Sequence, residues 1–173
     1  MVDAFLFSKL LPILHELLVY LSLRIPTSSI KAIAKMNREP SNSPKIIELP
    51  KICDERGNLS FIENDGLLPF RLARTYWIYD VPGGEKRFGH AFHHQEEVII
   101  ALSGSFDVVV NDGKETRRYH MARSYYGLYV PNMMWRELDN FSTNSAALVL
   151  SSLPYSPEEY IRDFDEFKKL SAK

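Results

Sequence analysis

The strongest constraint on the fold is how often the apolar sequence is interrupted. From Lys45 onward no apolar run outlasts a strand. The segments "KIIELP" (45–50), "NLSFIE" (58–63), "RTYWIYDV" (74–81), "EEVIIALS" (96–103) and "SFDVVVND" (105–112) are rich in β-branched and aromatic residues. So are "RRYHM" (117–121), "YGLYVP" (126–131), "MWRELDNF" (134–141) and "AALVLSS" (146–152). Turn residues separate them: "NDG" at 111–113 tolerates positive φ and predicts a hairpin, and "SGS" at 103–105 predicts a second tight connection. The last segment, "SPEEYIRDFDEFKKL" (156–170), reads as a helix, with Ser156 as its cap, Pro157 in the first position and acids in the first turn. About nine short strands and one terminal helix predict a mainly β fold, an antiparallel sandwich or barrel. No repeat of 20–50 residues points to a solenoid or propeller.

The 173 residues suit one domain plus an extension. Residues 1–24 are greasy, but Lys9, His15, Glu16 and Arg24 interrupt them, and they lack a secretory signal's basic start and cleavage site. Ser8, Lys9, Pro12, His15, Glu16 and Ser22 fall within an arc of about 140° on a helical projection, with leucines on the rest. This predicts an amphipathic helix starting near Pro12. It could lie on its own domain or dimer, on a partner or membrane surface, or be an upstream addition foreign to the working protein; the membrane surface is not favoured. The Pro/Ser-rich segment 35–45 reads as a linker. Residues 1–44 are thus expected to stand apart from a domain at 45–173. The formal net charge of −1 gives no basic field for nucleic acid. The single cysteine, Cys53, rules out an intramolecular disulfide, fits a reducing compartment such as the cytoplasm, and reads as a small core residue.

Chemistry concentrates in "GHAFHHQEE" (89–97), which holds three of the five histidines. Gly84, His90, Phe92, Glu97 and Gly104 follow the spacing of a frame that resembles the first signature of cupin jelly rolls, with Phe92 where that frame has a second histidine. "PNMMWRELDN" loosely echoes the second cupin signature, with Pro131 and Asn140 in frame and Arg136 where a metal-binding histidine would stand. A phenyl ring has no lone pair to give and a guanidinium repels a cation, so His90 and Glu97 alone predict no bound metal. In a strand His94 shares the face of His90 and Phe92, which makes it the one candidate replacement, whereas His93 points away and faces solvent. Acid–base chemistry fits better: an imidazole titrates near pH 6.5 and can take a proton from carbon beside a carbonyl. Glu97 could orient an imidazole or contact a sugar hydroxyl. Arg87 and Arg136 could hold a diphosphate, unless Arg136 pairs with Glu137 or Asp139. Alternation sends Tyr76 and Trp77 to opposite faces; Tyr76, with Arg74 on its face, is taken as the inward one, where the pair packs in the core or contacts a nucleotide base. For Phe92 core packing is expected, and His120 and the run 114–118 read as surface.

The stretches "DERGNLSFIE", "PFRLARTYWIYDVP", "LSGSFDVVVNDG", "GLYVPNMMWRELDNFS" and "EEYIRDFDEF", in this order, resemble the nucleotide-sugar 3,4-ketoisomerases, the FdtA/WxcM-like family. The resemblance spans about Ile46 to Leu170. It implies a cupin-type jelly roll without metal or other cofactor, a dTDP-linked keto-deoxy sugar as substrate, and a homodimer with exchanged amino-terminal strands. The implied reaction moves a ketone from C4 to C3 through an enediol, for deoxyamino sugars of cell-surface polysaccharide. The family motif R-G-x-H-A-H-K is matched by Arg87, His90 and Ala91. It departs at Phe88, where glycine is usual although Gly89 follows, and at Phe92, where the second histidine is missing. Isomerisation must then use His90 alone, recruit His94 or use a tyrosine; His90 and His94 are the expected catalytic residues, and Arg74, Tyr76, Arg87, Glu97 and Arg136 bind substrate. The alternative is a nucleotide-sugar-binding cupin that no longer isomerises.

Overall fold

The computed structural model describes residues 27–38, 41–64 and 66–172. The helix expected near Pro12 lies outside them. The described elements begin with helix α1 (Thr27–Asn37), then β1 (Lys45–Glu48), β2 (Ile52–Asp54), β3 (Gly57–Leu59), β4 (Arg74–Tyr79) and β5 (Arg87–Phe92). They continue with β6 (Glu97–Ser103), β7 (Phe106–Asn111), β8 (Thr116–Met121), β9 (Tyr126–Val130), β10 (Trp135–Asp139) and β11 (Ala146–Ser151). A 3₁₀ turn (Pro157–Glu159), β12 (Tyr160–Ile161) and α2 (Phe164–Ser171) close the chain.

Two antiparallel five-stranded sheets, ordered β1-β9-β6-β11-β4 and β12-β5-β10-β7-β8, face each other in the jelly-roll arrangement expected from the sequence. β2 and β3 form a separate ribbon. Period-two alternation decides what lies between the sheets. Ile99, Phe106, Val108, Leu128, Leu138, Ala147 and Val149 fill one end of the interior and are essentially inaccessible. On the outer face of the first sheet, Val98 and Ile100 are covered by Ile47, Leu49 and Leu68, which explains why β6 is apolar on both faces over most of its length. Both tight turns lie where glycine takes positive φ, at Gly104 (60°) and Gly113 (93°).

Four readings of the sequence change. Segment 156–170 is not one helix. Tyr160 and Ile161 pair with Phe92 and Ala91 as a strand, and the helix starts after Asp163, whose carboxylate accepts the Glu166 N–H at 2.8 Å. Tertiary pairing outcompetes helix propensity over those two residues. The stretch read as a linker begins inside α1, whose last residue, Asn37, is 1% exposed and donates to the carbonyls of Glu48 and Leu67, both at 2.8 Å. Cys53 is exposed, because in the β2–β3 ribbon Ile52 takes the inward position. Strands β2, β5 and β12 add to those read from the apolar runs. Among the described residues no helix is long and apolar enough to cross a membrane.

Outside the second sheet, His120 and Arg118 are exposed but close over two buried carboxylates, Asp107 and Asp139. Burial alone would raise the Asp107 pKa. Hydrogen bonds from His120, Arg118 and Asn140 outweigh it and hold the carboxyl below its usual range. A depressed folded-state value means this stabilisation is complete above the unfolded value of about 3.9 and fades as pH falls through the lower folded value. Thermal melts between pH 6 and pH 2 should therefore show a Tm that declines less steeply with acid in Asp107→Asn than in the unaltered protein.

Candidate active site

At the end of the interior opposite the apolar core, the two sheets are joined by one ion pair. Glu97 opens β6 in the first sheet and Arg136 lies on β10 in the second. Arg136 Nη2 is 2.7 Å and Nε 2.9 Å from Glu97 Oε2, and the side chains are 3% and 2% exposed. A buried charge needs its remaining hydrogen-bonding capacity filled, and both oxygens of Glu97 have partners. Glu97 Oε1 accepts from the Tyr76 hydroxyl at 2.8 Å, Gln95 Nε2 at 3.0 Å and, more weakly, the Ser151 hydroxyl at 3.4 Å. Arg136 Nη2 also donates to the Tyr76 oxygen at 2.8 Å. Burial pushes the Tyr76 phenol far above its ordinary pKa although Arg136 pulls the other way, so its O–H stays intact. Burial works against the Arg136 charge, but the negative field of Glu97 more than restores it.

Above this network lies a cavity of about 420 Å³ lined by Arg74, Tyr76, Arg87, His90, Arg136, Tyr155, Tyr160 and Arg162, among others. His90 is the cross-strand partner of Arg136, so the two side chains share a face. Arg87 stands three residues before His90, a spacing that would put it on the opposite face of a regular strand. It reaches the same cavity because the β5–β10 register shifts between Arg136 and Leu138, placing one extra residue on β5. Gly89 lies in this irregular stretch. A Cβ there would come within 2.4 Å of the Trp135 indole nitrogen, which explains why glycine is needed at 89 where the family motif has it earlier.

Phe92 is 4% exposed. Its ring makes an edge contact with His90 at 4.8 Å and with Tyr160 at 4.7 Å, while His90 and Tyr160 are 4.9 Å apart. Such edge contacts suit the ring quadrupoles, and the Arg136 guanidinium lies 5.9 Å from the Phe92 ring centre.

Five of the residues singled out from the sequence, Arg74, Tyr76, Arg87, His90 and Arg136, therefore line one cavity. Glu97 lies beneath it, held by Arg136 and Tyr76. Arg136 does not pair with its sequence neighbours: Glu137 accepts from Trp135 Nε1, and Asp139 pairs with Arg118. His94 is not brought in. Strand β5 ends at Phe92, the alternation that would carry residue 94 inward stops there, and the His94 side chain is 77% exposed. Its Nδ1 is 3.0 Å from Glu159 Oε1. Trp77 faces outward at 62% exposure, as alternation predicts. Tyr160 and Arg162 were missed because segment 156–170 read as one helix, and Tyr155, just before it, was not singled out. The usable signal was Asp163, a second capping residue as good as Ser156, from which the helix can start and leave "YI" free to extend.

The donor set does not suit a metal ion. Phe92 offers no lone pair, the Glu97 carboxylate is already bound by a guanidinium, and among the described residues no three His, Cys, Asp or Glu side chains converge.

A family model described as FdtA: WxcM-like, C-terminal, matches residues 42–172. The chain belongs to this family. It is 39% identical over 129 residues to a TDP-4-oxo-6-deoxy-alpha-D-glucose-3,4-oxoisomerase of Aneurinibacillus thermoaerophilus, covering 75% of this chain and 93% of the relative. The WlaRB TDP-quinovose 3,4-ketoisomerase of Campylobacter jejuni superposes with a TM-score of 0.71 at 40% identity, over 75% of this chain and 99% of that one. The sugar 3,4-ketoisomerase QdtA of Thermoanaerobacterium thermosaccharolyticum, solved in complex with TDP, superposes with a TM-score of 0.74 at 28% identity, over 77% and 97%.

The ion pair makes a prediction that separates burial from charge. Arg136→Ala strands a carboxylate in the interior and should lower stability by about 3–5 kcal/mol in denaturant melts. Replacing both partners, as Glu97→Leu with Arg136→Met, should recover most of that loss.

Proposed function

We propose that this protein is a TDP-sugar 3,4-ketoisomerase, which moves the keto group of a TDP-linked 4-keto-6-deoxyhexose from C4 to C3. One observation carries the reading: His90 stands in a cavity that also presents three guanidinium groups without a carboxylate partner among the described residues, in a chain about 40% identical to enzymes of this reaction. Arg136 is neutralised by Glu97. Among the described residues, Arg74, Arg87 and Arg162 have no carboxylate at ion-pair distance. Guanidinium groups left in this state favour a diphosphate, which they can bind in a bidentate fashion.

The chemistry follows from the substrate. The C4 ketone makes the C3 hydrogen acidic. A neutral imidazole at His90 takes that proton, the C3–H electron pair becomes a C3–C4 double bond, and O4 gains a proton. In the return half, O3 loses its proton as the C3 carbonyl forms, and C4 is protonated. The formula is unchanged, so no redox partner is consumed. Arg74, Arg87 and Arg162 hold the diphosphate end, and the Glu97–Arg136–Tyr76 network fixes the floor. Glu97 thus supports the site from below and His94 is outside it. A homodimer with exchanged amino-terminal strands, a cytoplasmic location and a division into 1–44 and 45–173 belong to the same proposal; mass measurement in solution on the full chain tests the first.

Incubation with TDP-4-keto-6-deoxyglucose in D₂O should place deuterium in the sugar, followed by NMR. His90→Asn should slow this by about 10²–10⁴-fold. Tight TDP binding by the unaltered protein without any 3-keto product would leave a nucleotide-sugar-binding protein and end the isomerase reading.

A further inference from the structure

The isomerisation needs two proton carriers, one serving carbon and one serving oxygen, and Phe92 stands where the family motif has its second imidazole. On the isomerase reading above, we propose that Tyr160 is the second proton carrier, its hydroxyl serving the sugar oxygens while His90 serves carbon.

Its position comes from β12. Tyr160 is the cross-strand partner of Phe92, so its ring stands on the same face and lines the same cavity. It touches both Phe92 and His90, with centroids at 4.7 and 4.9 Å. The other tyrosine on the cavity floor is unsuitable. The Tyr76 O–H is committed to Glu97 at 2.8 Å, its oxygen already accepts from Arg136, and burial holds it protonated. Tyr160 is arranged differently. Its oxygen accepts a long hydrogen bond from Arg74 Nη2, 3.4 Å, which leaves its own O–H to donate. The Arg162 guanidinium lies 4.4 Å from its ring centre. The two guanidinium groups, one at the oxygen and one over the ring face, hold the phenol in the cavity with its O–H turned to donate. A phenol so placed, against His90, can serve a sugar oxygen while the imidazole serves carbon.

The step balances. As His90 takes the C3 proton, Tyr160 gives its hydroxyl proton to O4, and the enediol forms beside an imidazolium and a phenolate. In the second half the imidazolium returns its proton to C4, and the phenolate takes the proton of O3 as the C3 carbonyl forms. Both side chains end as they began.

Tyr160→Phe keeps every ring contact and removes one oxygen. With TDP-4-keto-6-deoxyglucose in D₂O, this variant should lose about 10²–10⁴-fold in kcat while calorimetric TDP affinity stays within about threefold. Adding Phe92→His to Tyr160→Phe should restore at least about tenfold, because an imidazole at 92 supplies the missing carrier. A kcat within about threefold of the unaltered enzyme, a parallel loss of TDP affinity, or failure of the double variant to recover overturns the role of Tyr160. Each of these leaves the isomerase reading standing. Absence of the 3-keto product in the unaltered protein overturns both.

Discussion

The Glu97–Arg136 pair is the constraint around which the site is organised. It is a full ion pair almost without solvent, and it joins the two sheets where the interior changes from hydrocarbon to cavity. Either charge alone would be costly there. Together, and with Tyr76, Gln95 and Ser151 completing the hydrogen bonds, they form a floor that cannot move without breaking several contacts at once. The pair also neutralises Arg136, which leaves the positive charge facing the cavity to Arg74, Arg87 and Arg162. The guanidinium that holds the two sheets together is thus distinct from those that face the cavity without a carboxylate among the described residues.

Phe92 shows how one substitution redistributes a site without dismantling it. Its ring fills an inward position in β5 and is gripped by His90 and Tyr160, so packing is retained while a titratable group is removed. The three rings form a rigid cluster whose orientations are fixed by edge contacts. On the proposed reaction that rigidity matters, because an imidazole serving a carbon-bound hydrogen loses rate steeply with small misplacements. Strand β12 is short, but by pairing with β5 it delivers Tyr160 to the cluster, and Arg162 reaches the same cavity.

Local sequence made a large part of this legible. Strands such as β4, β6, β7 and β11 announce themselves through alternation or through runs of β-branched residues. The same alternation put Arg74 and Tyr76 on one face and Trp77 on the other. The motif frame drew attention to Arg87, His90 and Arg136, and all three line the cavity. Less legible were elements whose state depends on a distant partner. Tyr160 and Ile161 lie in a stretch of good helix formers and become a strand because the edge of β5 is available to them. His94 carried the right residue type at the right parity, but parity has meaning only while the strand continues, and β5 stops at Phe92.

The sequence by itself determined the strand-rich architecture, the shared face of Arg74 and Tyr76 opposite Trp77, and the absence of a lone pair at position 92, because all three follow from residue type and a period of two. Only the tertiary structure decided that Arg136 answers Glu97 rather than its own neighbours, that a register shift in β5 brings Arg87 round to His90, and that Tyr160 stands against both aromatic residues. Those are relations between strands far apart in the chain. They are set by inter-sheet packing and hydrogen-bond register, which no local pattern encodes.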